Sequence, residues 1–541
     1  MARSACSRGD VMSFSTQAAR TMELLKATPG WRRIQSLRGD CDDALVTAIL
    51  DEAARFAETV LEPLNTPADR QGCTVVGGRV RVPTGFTDAF RRHAGDGWLA
   101  MDVPERFGGQ ALPLVLQATC APLFERGCVA LMMASGSTRA ACHLLAETAE
   151  GAVADEWVPR LAAGEWAATI CISEPDAGSD LARLRSRAVF REGAWRIEGR
   201  KIWISFGDHD MAMRIGHCLL ARTGEETGTR GLSLFLVPDE IDGERNGVTV
   251  ERIEEKMGLH GSPTCALRFD GARGLLLGEE GRGLAQLFAM IELMRLQTGC
   301  QGLGLASAAI DIAETYARER QQGGDPAKPA IAIAHHPDIR RQLQEARLRT
   351  ETLRAATLEL ATVMDLARME PKEELRGDLQ ALSRWLLPLV KNFGADAGFT
   401  VSNQAIQILG GAGYTREWPL EQYLRDARVM TIYEGTTGMQ AIDLLTRRLW
   451  REGGKGLDVF LKRARSELAD YRSDKTKAAA SVLDAFEAES RRMAALENEP
   501  ETGLWQANNY LNAAWEAFAA WMTVRVEGVA DAQARRTGKA A

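Results

Sequence analysis

A change of texture near residue 166 constrains this chain more than any other feature. From 185 to 205 the sequence RSRAVFREGAWRIEGRKIWIS alternates apolar and polar side chains around a glycine-containing turn at 192–194. That is the period of half-buried strands. GLSLFLVP (231–238) and GVTVERIEEKMGLHGSPTCALRFDGARG (247–274) add further short strands. On either side the pattern is helical. Residues 42–62 place Leu45, Ile49, Ala53, Phe56 and Val60 on one face, with Asp42 or Asp43 as cap and Pro63 after the last turn. Helical texture continues through 86–95, 112–126 and 138–163. It returns at Gly281, runs to Gln322, and resumes at 338–367, 373–408 and 437–450 after a Gly/Pro-rich loop. The stretch 456–541 is helical, charged and Ala-rich, and its Trp505, Trp515 and Trp521 predict that it packs rather than trails. The expected class is mostly α with a central β domain. The expected divisions are an N-terminal extension (1–40), a helical domain (41–165), a β domain (166–277), a helical bundle (278–455) and an extra helical domain (456–541).

The length of 541 residues is too great for one core of ordinary size. A net charge of −7 gives no sign of bulk nucleic-acid binding. No uninterrupted apolar run reads as long enough to span a bilayer. The 10 cysteines form no CxxC pair, and none follows Cys300, which points to a reduced, intracellular protein. No metal site is expected: His260 has no second His or Cys at zinc spacing. The N-terminus, MARSACSRGDVMSFSTQAARTMELL, lacks the apolar region of a secretory signal. It reads as a floppy extension, with a faint likeness to an organelle transit peptide. The expected location is cytoplasmic, with the mitochondrial matrix as alternative.

Four stretches carry candidate chemistry. CISEPDAGSD (171–180) joins the helical block to the β domain and offers backbone N–H groups and hydroxyls without bulk. That suits a flat polar ring or a phosphate, and equally an ordinary crossing loop. In KIWISFGDHD (201–210) strand alternation predicts Trp203 and Ser205 on one face and Ile202 and Ile204 on the other. Taken alone, this reads as a core Trp beside a surface Ser. His209, between two aspartates, reads as a solvated turn. KMGLHGSPTCALRFD (256–270) is a turn and strand. Gly410, Gly411 and Gly413 follow a helix and do not fit GxGxxG, so a dinucleotide-binding reading fails. The fourth stretch, RVMTIYEGTTGMQAIDLL (428–445), sets one carboxylate, Glu434, in a glycine-flanked bend between apolar segments.

CISEPDAGSD, KIWIS, KMGLHGSPTC and GGAGYTREWPLEQYLRDARVMTIYEGTT, in this order, resemble the acyl-CoA dehydrogenase family over roughly residues 40–450. AARFAETVLEPLN, RLQTGCQGLGLA and HPDIRRQL are similar to its longer members with an extra C-terminal helical domain, 3-methylmercaptopropionyl-CoA dehydrogenases among them. The resemblance implies a helical domain, a small β-barrel or sandwich domain, a four-helix bundle and the extra helices. It implies FAD between the β domain and the bundle, partly against a neighbouring subunit of a homodimer or homotetramer.

It also implies roles. Cys171, Ile172, Ser173 and Gly178 would line the flavin. Trp203, Ile204 and Ser205 would screen it and bond near its reactive nitrogen. Arg320, Gln407, Gly410, Gly411 and Thr436 would approach the cofactor, Arg320 and Thr436 at its diphosphate, where a planar donor fork suits phosphate oxygens. Ser179, Glu292, Arg295 and Gly435 would contact substrate. Glu434 would be the base that takes the α-proton of an acyl-CoA thioester as a β-hydride moves to the flavin. A carboxylate at its ordinary pKa is a weak base for that task, so the site must raise it. Some relatives place the base before an arginine of the long helix, and here that position is Met294. QQGG replaces a common Phe-Gly pair after YARER, and Phe206 replaces a smaller residue, either narrowing the acyl channel or simply packing. The implied activity is acyl-CoA dehydrogenation with electrons passed to an electron-transferring flavoprotein. An oxidase using O₂ and a non-catalytic FAD-binding relative are the alternatives.

Overall fold

The structure is a computed structural model that describes residues 13–471 and 474–536. The chain divides into two compact units: Met1–Thr59, Ala118–Arg126 and Thr298–Ala541 form one, Val60–Gln117 and Gly127–Gln297 the other.

The second unit is built on a seven-stranded sheet. Arg187–Arg191 and Ala194–Ser205 form a hairpin whose two loop residues, Glu192 (φ 51°) and Gly193 (φ 76°), are both left-handed. Such a turn matches the right-handed twist of the strands it joins. Thr264–Leu277 pairs with Ala194–Ser205 on one side and Leu232–Pro238 on the other. Leu232–Pro238 then pairs with Arg214–Arg222, which meets Arg187 at Arg222. Five strands thus close on themselves around Ile197, Leu219, Phe235, Leu267 and Phe269. Val248–Ile253 and Trp166–Cys171 extend this ring, the latter parallel to Arg214–Arg222. These two partners, Trp166–Cys171 and Arg214–Arg222, carry no alternation in the sequence because nearly every side chain in them is buried. A continuous apolar run does not distinguish strand from helix.

His209 is not in a solvated turn: it is buried, meets Phe206 edge-on at 5.7 Å, and its Nδ1 accepts from the Met211 amide. The aspartates on either side explain why. Asp208 binds Arg79 and the Val80 amide, and Asp210 binds Arg81 and the Val82 amide, so each carboxylate holds the small hairpin Thr74–Arg81. The imidazole between them is carried inward.

In the first unit the helices Pro337–Met369 and Glu373–Leu409 run beside the Thr298–Glu319 part of the helix Gly283–Glu319. Backbones touch where glycines meet: a Cβ on Gly302 would lie 1.8 Å from the Gly394 carbonyl oxygen. No larger residue fits there. The C-terminal helices Lys455–Leu468, Asp474–Ala495 and Ala507–Arg536 pack on this group. Trp515 stacks on Phe393 at 4.7 Å, and Trp521 is buried with its Nε1 donating to Glu467. Trp505 departs from expectation and is 91% exposed.

The segment 1–40 also departs from expectation, since residues 14–37 are not floppy. Ser13 caps the helix Phe14–Ala27, and Pro29 opens the helix Pro29–Leu37. Phe14, Leu25, Trp31 and Ile34 are buried, and Gly30 lies against Thr362 of the helix Pro337–Met369. Residues 1–12 lie outside the described residues.

One helix, Leu114–Thr148, is by length and composition apolar enough to cross a membrane, contrary to the sequence reading. Of its most apolar window 94% is buried inside the protein, as in the core helix of a globular fold. It kinks at Cys128 (φ −160°, ψ 86°).

Candidate active site

In the second unit the loop 171–180 leaves the strand Trp166–Cys171 and is organised by a residue that sequence reading passed over, Glu174. Its backbone closes a tight turn with Ala177, the Glu174 amide donating to the Ala177 carbonyl at 2.9 Å and the reverse bond at 3.1 Å. Its buried carboxylate accepts from the amides of Arg185 (2.6 Å) and Ser186 (3.0 Å) and from Lys201 Nζ (2.8 Å). Burial works to raise the Glu174 pKa, but the Lys201 charge and these donors hold it below the ordinary value. Lys201 is fully buried and also donates to the Ile172 carbonyl at 3.0 Å. Lys201 follows Glu198 and Arg200 in its strand, and Glu174 precedes Asp176 and Asp180, so neither buried charge stands out from its sequence neighbours.

Lys201 changes the face assignment in its strand. Ile204 pairs with Cys265 and Lys201 with Leu267, so two residues, 202 and 203, face one. This bulge, with Trp203 at φ 62°, sends Lys201 and Ile204 inward and leaves Ile202 only partly buried. Ile202 is therefore not the core partner of Ile204 that strict alternation predicts. Trp203 is 58% exposed rather than a core Trp, and Ser205 is half-buried. The Ile202 amide donates to the Ser173 carbonyl at 2.9 Å, tying the loop to the Trp203 strand. Ile172 and Ser173 are half-buried, and Gly178 and Ser179 are exposed. Cys171 and Ile204 bury their side chains in the barrel core. Only their main chains remain for a ligand. Phe206 packs in the interior. Glu292 and Arg295, on the Gly283–Gln297 part of its helix, are half-buried, and Met294 is buried.

In the first unit Glu434 sits between a short 3₁₀ turn, Val429–Thr431, and the helix Thr437–Ile442. Glu434 (φ 53°) and Gly435 (φ 89°) are both left-handed, which reverses the chain sharply. Both are half-buried. Thr436 caps the following helix by accepting from the Met439 amide at 3.3 Å. Beneath the bend the Tyr433 hydroxyl donates to Gln301 Oε1. Burial, then the Glu125 and Glu434 charges, push the Tyr433 pKa well above its ordinary value, so it stays a neutral donor.

Arg320, Gln407, Gly410 and Gly411 are exposed on the same unit. Tyr316 meets Trp418 edge-on at 5.7 Å, tying the end of the helix that leads to Arg320 to the turn after Gly410 and Gly411. Both units fit a flavin dinucleotide. Trp203 offers an aromatic face beside an open loop, with nothing within 4 Å of a Cβ on Gly178. Gly410 and Gly411 are equally open, and the exposed Arg320 of the same unit is a planar cation of the kind that suits a diphosphate. Among the described residues no His, Cys, Asp and Glu gather as a metal site.

Comparison with known proteins places the chain in a class. The N-terminal, middle and C-terminal domains of acyl-CoA dehydrogenases match residues 46–165, 169–272 and 281–449. The chain belongs to the acyl-CoA dehydrogenase family, FAD-dependent oxidoreductases. It is 36% identical over 459 residues to 3-methylmercaptopropionyl-CoA dehydrogenase of Ruegeria pomeroyi, spanning 82% of this chain and 78% of that protein. It is 30% identical over 492 residues to a butyryl-CoA dehydrogenase of Syntrophomonas wolfei, spanning 86% and 79%. Among solved structures, Caenorhabditis elegans ACDH-11 in complex with C11-CoA superposes with a TM-score of 0.80 at 20% identity, over 98% of this chain and 91% of that one. Butyryl-CoA dehydrogenase of Megasphaera elsdenii gives 0.63 at 23% identity, over 74% and 97%. At these identities the two structures show the fold alone.

Proposed function

We propose that this chain dehydrogenates an acyl-CoA thioester to the trans-2-enoyl-CoA, with Glu434 taking the α-proton. The observation that carries this reading is a carboxylate held in a left-handed bend, followed by a left-handed glycine. The bend projects one base from a chain reversal, and Gly435 adds no side chain beside it. FAD, when bound, supplies the acceptor for the hydride that leaves the β-carbon. An acyl chain seated against Glu434 excludes water and makes the carboxylate a stronger base. Main-chain N–H groups in the bend stabilise charge developing on the thioester oxygen. Arg295 and Glu292 position the thioester end, and Ser179 meets the CoA side. Arg320, Gln407, Gly410, Gly411 and Thr436 serve the cofactor across a subunit interface of a homo-oligomer. Electrons pass to an electron-transferring flavoprotein.

The likeness to the Ruegeria protein supports 3-methylmercaptopropionyl-CoA as a substrate. The test is anaerobic titration of the purified flavoprotein with saturated acyl-CoAs from short to long and with 3-methylmercaptopropionyl-CoA. Loss of the oxidised flavin band with one of them, and none with Glu434→Gln, is the expected result. Equal bleaching of Glu434→Gln removes this residue from the mechanism. Peroxide formed at the rate of turnover in air, without an added electron acceptor, identifies an oxidase instead.

A further inference from the structure

Glu434 holds a backbone conformation that non-glycine residues avoid, so something must hold it there. Two buried side chains from different helices converge on the carbonyls of this bend. Lys391, fully buried on the helix Glu373–Leu409, donates from Nζ to the Met430 carbonyl at 2.9 Å and the Gly435 carbonyl at 2.7 Å. Gln440, fully buried on the helix Thr437–Ile442, donates from Nε2 to the carbonyls of Glu434 and Gly435, both at 3.1 Å. The Gly435 oxygen thus accepts from both, and each end of the turn that carries Glu434 is tied to a helix. Burying an ammonium costs far more than burying a neutral donor, which marks the Lys391 contact as more than packing.

We propose that Lys391 and Gln440 are positioning residues that lock Glu434 in its left-handed conformation and thereby aim its carboxylate. Lys391 is the principal one, because its charge-assisted bonds are stronger than the amide's. The proposal rests on the reading of Glu434 as the base. Without the two tethers the Glu434 φ relaxes to a negative value, which swings the Cα–Cβ bond away from its present direction. Both side chains are fully buried and offer no surface to a ligand. Their loss acts through Glu434 on the proton-transfer step and leaves thioester binding in place.

The experiment compares Lys391→Met, Lys391→Arg, Gln440→Leu and Glu434→Gln as holoenzymes. Rapid anaerobic mixing uses the saturated acyl-CoA that bleaches the wild type fastest. Hydrogen exchange follows peptides that cover 429–440. Lys391→Met is expected to slow bleaching at saturating thioester by roughly tenfold or more, about 1.4 kcal/mol in the barrier. The half-saturating concentration stays unchanged, and exchange rises at residues 430–436 alone. Lys391→Arg, which keeps a charged donor, recovers part of the rate. Gln440→Leu gives a smaller effect of the same kind, and serves as the test if Lys391→Met does not fold. Wild-type bleaching and exchange in both tether variants, with Glu434→Gln inactive, overturns the tether and leaves the base assignment standing. A rate loss that only tracks lost FAD or a global rise in exchange also overturns it. Wild-type bleaching by Glu434→Gln overturns the base assignment, and the tether's catalytic role with it.

Discussion

Arg525 Nη2 lies 2.9 Å from Glu359 Oε2, and both side chains are fully shut away from solvent. The pair joins the C-terminal helix Ala507–Arg536 to the helix Pro337–Met369. Glu467 and Arg463 complete the group: Arg525 donates to Glu467 at 2.8 Å from Nε, and Arg463 to Glu359 at 2.6 Å. Buried charges are tolerated only when paired in this way. Removing one member strands the others. Arg525→Met is therefore expected to destabilise the protein by about 3–5 kcal/mol. Urea denaturation of the purified variant measures it, and a loss below roughly 1 kcal/mol contradicts the network's role.

The same group sets an acid limit. Burial works to raise the Glu359 pKa, but Arg463 and Arg525 hold it below its ordinary 4.5. A carboxylate lowered in the folded state stabilises above its unfolded pKa and loses that contribution as pH falls through the folded one. Glu359→Gln should remove stability at pH 7 and flatten its fall below about pH 4.5. Melting temperatures of the two proteins across this range give the comparison.

Three histidines of the second unit, His93, His209 and His217, are buried and each is lowered to about 3 from 6.5, with desolvation as the leading cause. Below pH 6.5 the unfolded chain binds protons at these positions and the folded chain does not. Stability therefore falls as pH drops from about 6.5 toward 3, by up to about 1.4 kcal/mol per pH unit for each histidine. His209→Asn should reduce that slope by about one proton. An unchanged slope would show that His209 charges freely in the native state.

Lys201 and Glu174 hold the loop expected to meet the flavin. Lys201→Met removes the one charged partner of the buried Glu174 carboxylate and leaves it only the Arg185 and Ser186 amides as donors. The loop should loosen, and retained FAD should fall by roughly tenfold in affinity, about 1.4 kcal/mol. The ratio of flavin to protein absorbance after gel filtration reads it directly. Full retention would mean the loop is held by its backbone bonds alone.

Trp505 and Trp521 lie on the same C-terminal block with opposite surroundings, 91% and 1% exposed. Trp521→Ala should cost about 3–5 kcal/mol through a cavity and a lost bond to Glu467. Trp505→Ala should change stability by no more than about 0.5 kcal/mol. Calorimetric melting of both variants checks the contrast.

Local pattern determined much of this protein. Helical periodicity marked some long helices to within a residue or two, as at 373–408 against Glu373–Leu409, but it split Leu114–Thr148 by leaving out 127–137 and stopped at Pro63 where helix runs on to Gln71. Alternation marked the hairpin at 185–205, and the bend at Glu434 stood out as a carboxylate beside glycine. Those signals survive in sequence because they depend on neighbours one to four residues away. Tertiary structure alone decided the rest. Strands buried on both faces lose their alternation, as at Arg214–Arg222. The bulge at 202–203 is set by pairing with Cys265 and Leu267, which no local pattern records. Trp31 is buried under the distant helix Pro337–Met369 and His209 beneath loops held to the hairpin Thr74–Arg81, while Trp505 of the same chain stays 91% exposed. The partners of Glu174 and of the Glu434 bend, Lys201, Lys391 and Gln440, are assigned by distance in space. A buried charge is legible only once its counterpart has been folded beside it.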